Sequence, residues 1–235
     1  MNTEQFHIDV SGIRVDVIKK DIQNMHLAVY PPTGRVRLSS PLSMKTESLR
    51  LFIISKLGWI KKHIRNMHSQ IREPKREYIQ GESHWIQGQR YLMNVIEEDA
   101  APKVVLRTKT YLDLYVRPGS SQTKREEVVK EWYRDLLKEQ IPALIEKWEK
   151  KLEVTIDDWG IKQMKTKWGS CNIENRRIWL NLELAKKPKH CLDYVVLHEM
   201  AHLKERHHND RFKALLNKFM PGWRNIREEL NEVVY

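Results

Sequence analysis

A chain of 235 residues is long enough for one well-filled core, or for a core with a smaller companion. Hydrophobic residues make up 40% and aromatic residues 9%, too rich a supply of core formers for a disordered chain. Lys and Arg total 42 against 31 Asp and Glu, a net +11 that suits nucleotides, nucleic acid or acidic peptides, and equally a protein kept soluble by charge.

The N-terminal part reads as β-rich. Ile13 to Ile18 alternates apolar and polar residues after a Ser11-Gly12 turn signal. His26 to Tyr30 and Arg35 to Leu38 continue the alternation around Pro31-Pro32-Thr33-Gly34, read as a hairpin turn. From Lys45 the period changes: Leu49, Phe52, Ile53, Leu57, Ile60 and Ile64 recur at three- and four-residue steps, predicting one amphipathic helix that ends before Pro74. Alternating segments return in Trp85 to Ile96 and Val104 to Val116, until Pro118-Gly119-Ser120-Ser121 breaks the chain. That break divides a β-rich region with one helix, 1–118, from a second domain, 119–235.

The second domain opens on a long helix from about Lys124 to Leu152, with Val128, Trp132, Leu136, Ile141, Leu144, Ile145 and Trp148 on one face and Pro142 as a site for a kink. Strands are expected at Val154 to Lys165 and Arg177 to Leu182, flanking a turn from Trp168 to Asn172. A helix starts near Pro188 and passes through His198, and Pro221 opens a last helix to about Glu232. No internal repeat or low-complexity tract is visible. Two cysteines, Cys171 and Cys191, are too few for an extracellular disulfide framework, the N-terminus lacks the order of a signal peptide, and no run nears the ~18 apolar residues of a membrane span. The expected setting is the reducing cytoplasm, away from membranes.

The chemistry is written in His198-Glu199-Met200-Ala201-His202. Residues four apart on an α-helix differ by about 40° in direction, so both imidazoles can aim at one point, as a zinc site requires. Glu199, about 100° around, is poorly placed as a close ligand but can accept a proton from a water at the metal. The apolar residues Tyr194 to Leu197 predict a buried helix, where two unpartnered imidazoles would be costly. A third ligand must come from beyond the helix. His207 and His208 serve only if the helix stops and the chain folds back, with Asn209 or Asp210 capping the next helix. Glu228, Glu229 and Asp193 are carboxylate alternatives that no spacing favours. Trp168, Gly169 and Ser170 are read as a substrate-binding edge or as a packed turn, and Cys171 as a soft ligand or an inert small residue. Tyr194, His207 and Asn181 are candidates for oxyanion stabilisation.

Several stretches resemble a known family. These are Lys167-Trp168-Gly169-Ser170-Cys171, Arg177 to Asn181, Leu192 to Leu203, and His208 with Phe212. Together they are similar to the YgjP-like metallopeptidase domain proteins, relatives of SprT-like and WLM zincins, with a looser likeness over Gly58 to Ile60 and Tyr78 to Tyr91. Lys213 stands where an aromatic is common in the family. The resemblance implies an α+β fold with a zincin-like C-terminal domain, a twisted sheet whose edge strand borders the cleft. It further implies Zn2+ on His198, His202 and His208, with Glu199 as general base. Its implied substrate is a protein or peptide; the alternatives are pyrophosphate hydrolysis of UTP at the same site, and action on DNA-associated protein or a role as a nucleic-acid-binding module. Against the nucleotide reading, the sequence has no Gly-rich phosphate loop and no carboxylate cluster for paired Mg2+.

Overall fold

The computed structural model describes residues 3–30, 33–69 and 76–231. Its contacts divide the chain into two units, Met1–Arg72 and Glu73–Tyr235. The boundary expected at 118/119 therefore falls within the second unit. The physical reason is a shared core: Leu112, Leu114 and Val116 of the strand before that break are buried in one cluster with Val129, Tyr133 and Leu137 of the helix after it.

In the first unit, β1 (Glu4–Val10), β2 (Ile13–Lys20), β3 (His26–Tyr30) and β4 (Arg35–Pro41) form a sheet of order β1-β2-β4-β3. The strand β1 was missed by sequence, although Phe6, Ile8 and Val10 alternate as β2 does. Ser11 and Gly12 both take positive φ, 51° and 75°, the two-residue turn whose twist matches a hairpin. The long helix expected from Lys45 is two: α1 (Thr46–Ser55) and α2 (Leu57–Ser69). Lys56 leaves helical geometry at φ −102°, ψ 3°, and the Ser55 hydroxyl donates to the Phe52 carbonyl at 2.7 Å, competing with the helical ladder. Leu49, Ile53 and Ile60, predicted on one face, are buried against Val15, Val17, Val36 and Leu38. Pro31-Pro32 and the expected helix end before Pro74 lie outside the described residues.

The second unit begins with β5 (Ser83–Ile86), β6 (Gln89–Glu97), β7 (Lys103–Leu106) and β8 (Tyr111–Val116), in the order β5-β6-β8-β7. This is the strand order of the first sheet repeated, each with a parallel pair at its centre, β2 with β4 and β6 with β8. Each also opens on a tight hairpin, here at Gln87-Gly88 with φ 50° and 84°. The sequence hid the repeat because sheet topology needs only alternation and turns, which many residues satisfy.

The helix α3 (Gln122–Leu152) is capped by Ser121, whose side chain accepts from the Lys124 N–H, and it runs on through Pro142. Its buried stripe is Val129, Tyr133, Leu137, Ile141, Ile145, Trp148 and Leu152. The predicted Val128, Trp132, Leu136 and Leu144 are only flanking, partly buried residues. Adjacent apolar rows made the centre of the face ambiguous by one residue. Beyond α3 come β9 (Asp158–Lys162), β10 (Gly169–Asn172) and β11 (Arg177–Asn181), ordered β10-β11-β9, then a 3-10 turn over Leu182–Lys186. The expected turn from Trp168 to Asn172 is instead mostly strand. The turn lies just after it, where the Asn172 side chain accepts from the Asn175 N–H at 3.1 Å. Last come α4 (Lys189–Ala201), α5 (Asp210–Phe219) and α6 (Trp223–Asn231); Glu232, the expected end of the final helix, lies outside the described residues. The α+β class expected from the sequence is what the chain adopts, with β-rich N-terminal sheets and, in the second unit, the edge strand β10 packed against α4, the helix of His198 and His202. No helix among the described residues is long and apolar enough to cross a membrane.

One contact fixes where α4 begins. The Gln87 and Gly88 N–H groups donate to the Ala185 and Lys186 carbonyls, both at 2.9 Å, seating the β5-β6 tip on the 3-10 turn. A Cβ at Gly88 would lie 2.7 Å from Cγ of Pro188, the residue that precedes α4. Gly88→Ala adds both that overlap and a strained positive φ. It is expected to destabilise the protein by about 2–4 kcal/mol in chemical denaturation; an unchanged midpoint would show that the hairpin tip does not bear on α4.

Candidate metal centre

Helix α4 is apolar nearly all round. Cys191, Leu192, Tyr194, Val195, Val196, Leu197, Met200 and Ala201 are buried, so the helix sits inside the core and not on a surface. Asp193, an acid within this run, accepts from Lys147 Nζ at 2.6 Å and from Trp148 Nε1 at 2.7 Å, and is thereby spent on α3. The helix stops at His202, where N–H groups of Leu203 and Lys204 bond back to Met200 and Ala201 at 3.1 and 3.0 Å. The chain then folds back until Asn209 caps α5, its side chain accepting from the Phe212 N–H. That reversal brings His208 onto His198 and His202.

The three rings converge. His208 Nε2 lies 3.0 Å from His198 Nε2, and one ring nitrogen from each of the three histidines lies within 4.8 Å of the others. His202 turns Nδ1 to the Glu205 carbonyl at 3.2 Å, and because a carbonyl only accepts, its Nε2 keeps a free lone pair. His198 has Nδ1 3.4 Å from the Tyr194 hydroxyl. Phe212, almost fully buried, packs on all three rings at centroid distances of 5.0, 4.7 and 4.8 Å. Nitrogens bound at ~2 Å to one tetrahedral ion lie roughly 3–3.5 Å apart, so this donor set fits such an ion.

Electrostatics favour neutral rings. Burial first, then His202, His208 and Arg227, push the His198 pKa down to about 3. His202 and His208 are lowered as well, again chiefly by burial. Neutral imidazole is the metal-binding form. Glu199 moves the opposite way: burial lifts its carboxyl to about 8, against a smaller lowering by Lys167. It is 6% exposed and pressed against β10, where a Cβ on Gly169 would meet Glu199 Cγ and Oε1 at 2.7 Å. Only glycine leaves room for the carboxyl there. The Cys171 thiol is raised to about 11, by burial and then by Glu199.

A cavity of about 1190 Å3 opens over these groups. Its lining includes Trp168, Gly169 and Ser170, the predicted substrate-binding residues, along the edge strand β10. Trp168 Nε1 donates to Asn231 Oδ1 at 3.1 Å, tying the entry of β10 to α6. Other candidates lie elsewhere. Asn181 uses its whole side chain on structure, accepting from the Met164 and Glu183 N–H groups and donating to the Met164 and Lys167 carbonyls. Glu229 pairs with His190 at 2.5 Å, and neither Glu228, His207 nor Asp193 is among the residues that line the cavity. Tyr194 does line it. Sequence reasoning passed over Arg227, which lines the same cavity from α6; it stands 25 residues beyond His202, and no periodicity connects separate helices.

Comparison with known proteins places these observations in a family. The family model for the YgjP-like metallopeptidase domain matches residues 24–233. No curated protein matches the chain. Among solved structures, the chain is similar to the metallopeptidase zymogen of Pyrococcus abyssi abylysin, at 21% identity over 39% of this chain and 91% of that one, with a TM-score of 0.37. It is also similar to the metallopeptidase zymogen of Methanocaldococcus jannaschii jannalysin, at 22% identity over 39% and 93%, with a TM-score of 0.35.

The raised Glu199 pKa has a consequence for stability. At pH 4 the carboxyl is protonated in both the folded and the unfolded chain. Between the ordinary 4.5 and about 8 only the unfolded chain ionises, so folding weakens across that window and stays weaker above it. Glu199→Gln removes this effect. In chelator, the variant is expected to exceed wild type by about 2–4 kcal/mol at pH 9 and to match it at pH 4. Equal stability at pH 9 would mean that the carboxylate is not desolvated.

Proposed function

Because the chain belongs to the YgjP-like metallopeptidase family, we propose that it is a zinc peptidase in which His198, His202 and His208 hold the ion and Glu199 is the general base. The observation that carries this reading is the convergence of one ring nitrogen from each of three histidines, with the buried side chain of Glu199 on the same helix as two of them. Zinc bound there supplies a Lewis acid that polarises the scissile carbonyl and acidifies a water. The remaining work falls to the protein's own groups.

Glu199 takes the proton of the attacking water on a carboxylate oxygen and returns it to the leaving amine. A carboxyl near the operating pH suits both halves of that transfer, and a cation beside it lowers its pKa from the metal-free value. Gly169 permits the carboxyl to stay against the strand. The free edge of β10 supports an extended peptide by strand addition, with Trp168 and Ser170 beside it. The Tyr194 hydroxyl, near His198, is our candidate donor to the developing oxyanion. With both cysteines free, the setting is the reducing cytoplasm. Hydrolysis of UTP is the alternative at the same residues, and action on DNA-associated protein is the other. The cluster of His198, His202 and His208 contains no carboxylate of the kind that paired Mg2+ would need.

Metal analysis and a substrate screen test this reading together. Wild type is expected to bind one zinc and His202→Ala to lose it. Glu199→Gln should keep the metal while kcat on unfolded protein falls by about 10²–10⁴-fold. Turnover confined to UTP, or undiminished in Glu199→Gln, would contradict the proposal.

A further inference from the structure

The lining of the cavity is strongly cationic. Lys167 stands at the entry to β10, Lys204 and Arg206 in the loop after α4, Lys213 on α5 and Arg227 on α6. Lys213 pairs with Asp210 at 3.0 Å; Lys167, Lys204, Arg206 and Arg227 have no ion-pair partner among the described residues. Facing these five cations are two carboxylates in the lining, Glu174 and the buried Glu199. A basic protein has exposed lysines everywhere, but here separate segments of chain aim positive charge at one cavity.

Two of the cations stand near the chemistry. The charge of Arg227 is felt at His198, His208 and Tyr194, and that of Lys167 at Glu199. Placing an unpaired guanidinium beside a cluster suited to a cation is electrostatically unfavourable until an anion arrives. A guanidinium also offers the planar fork that fits a carboxylate. We infer that the cleft takes peptides with an acidic side chain next to the bond to be cut, Arg227 holding that carboxylate while Lys167, Lys204 and Arg206 draw acidic stretches of chain to the edge of β10. This rests on the peptidase reading. The edge strand favours an extended peptide over a compact anion, because its backbone groups pair with a chain along its length.

The test uses quenched-fluorescent peptides identical except for Glu, Gln or Lys beside the scissile bond, with UTP in parallel. The full-length zinc-loaded protein is compared with Arg227→Gln and Arg227→Lys. Wild type should favour the Glu peptide over the Gln peptide by about tenfold in kcat/KM, chiefly through KM. Arg227→Gln should bring the ratio near one, and Arg227→Lys should keep part of it. Binding of the uncut Glu peptide to Glu199→Gln, read by anisotropy, should weaken steeply with salt, and less steeply when Lys204→Gln and Arg206→Gln are added. A preference that is absent, or that survives Arg227→Gln, overturns this inference alone and leaves the peptidase reading standing. Glu199-dependent turnover of UTP without any peptide cleavage overturns both.

Discussion

The centre of this protein depends on a carboxyl kept almost out of water. Glu199 is held between its own buried helix and the backbone of β10 at Gly169, and burial raises its pKa to about 8. The same burial keeps His198 neutral. An acid that resists ionising and bases that resist protonation are costly groups to enclose, and each becomes stable once a cation joins them. The apolar character of α4 removes the water that would otherwise solvate these groups.

Elements around that helix serve to hold it. The β5-β6 tip meets Pro188 at the start of α4, and Asp193 ties its first half to α3 through Lys147 and Trp148. The Asn181 side chain secures the segment leading to Trp168 with three hydrogen bonds, so the edge strand is delivered in register. Phe212 supports all three histidine rings at once. Losing any of these would act on the chemistry at a distance, through position and not through charge.

Much of this was legible in the sequence because it is local. The four-residue step from His198 to His202, the apolar run before it and the turn residues beyond it depend on helix geometry alone. Likewise, the alternation of β2 and the stripe on α1 and α2 report burial directly. What stayed hidden is non-local. Whether Gly169-Ser170 is turn or strand depends on pairing with β11, and the domain boundary depends on which sheet α3 packs against. Asn181 looked like a catalytic donor because Asn has the right chemistry, yet its partners are three backbone segments that no spacing rule links. Arg227 enters the cleft through the packing of α6, which leaves no periodic trace relative to His198.

X-ray absorption at the zinc edge on the purified protein tests the central claim most directly. The account predicts a first shell of three imidazole nitrogens and one light atom from solvent, unchanged in Glu199→Gln and reduced by one imidazole in His208→Ala. A sulfur in that shell, a fourth protein ligand, or a spectrum insensitive to His208→Ala would contradict it.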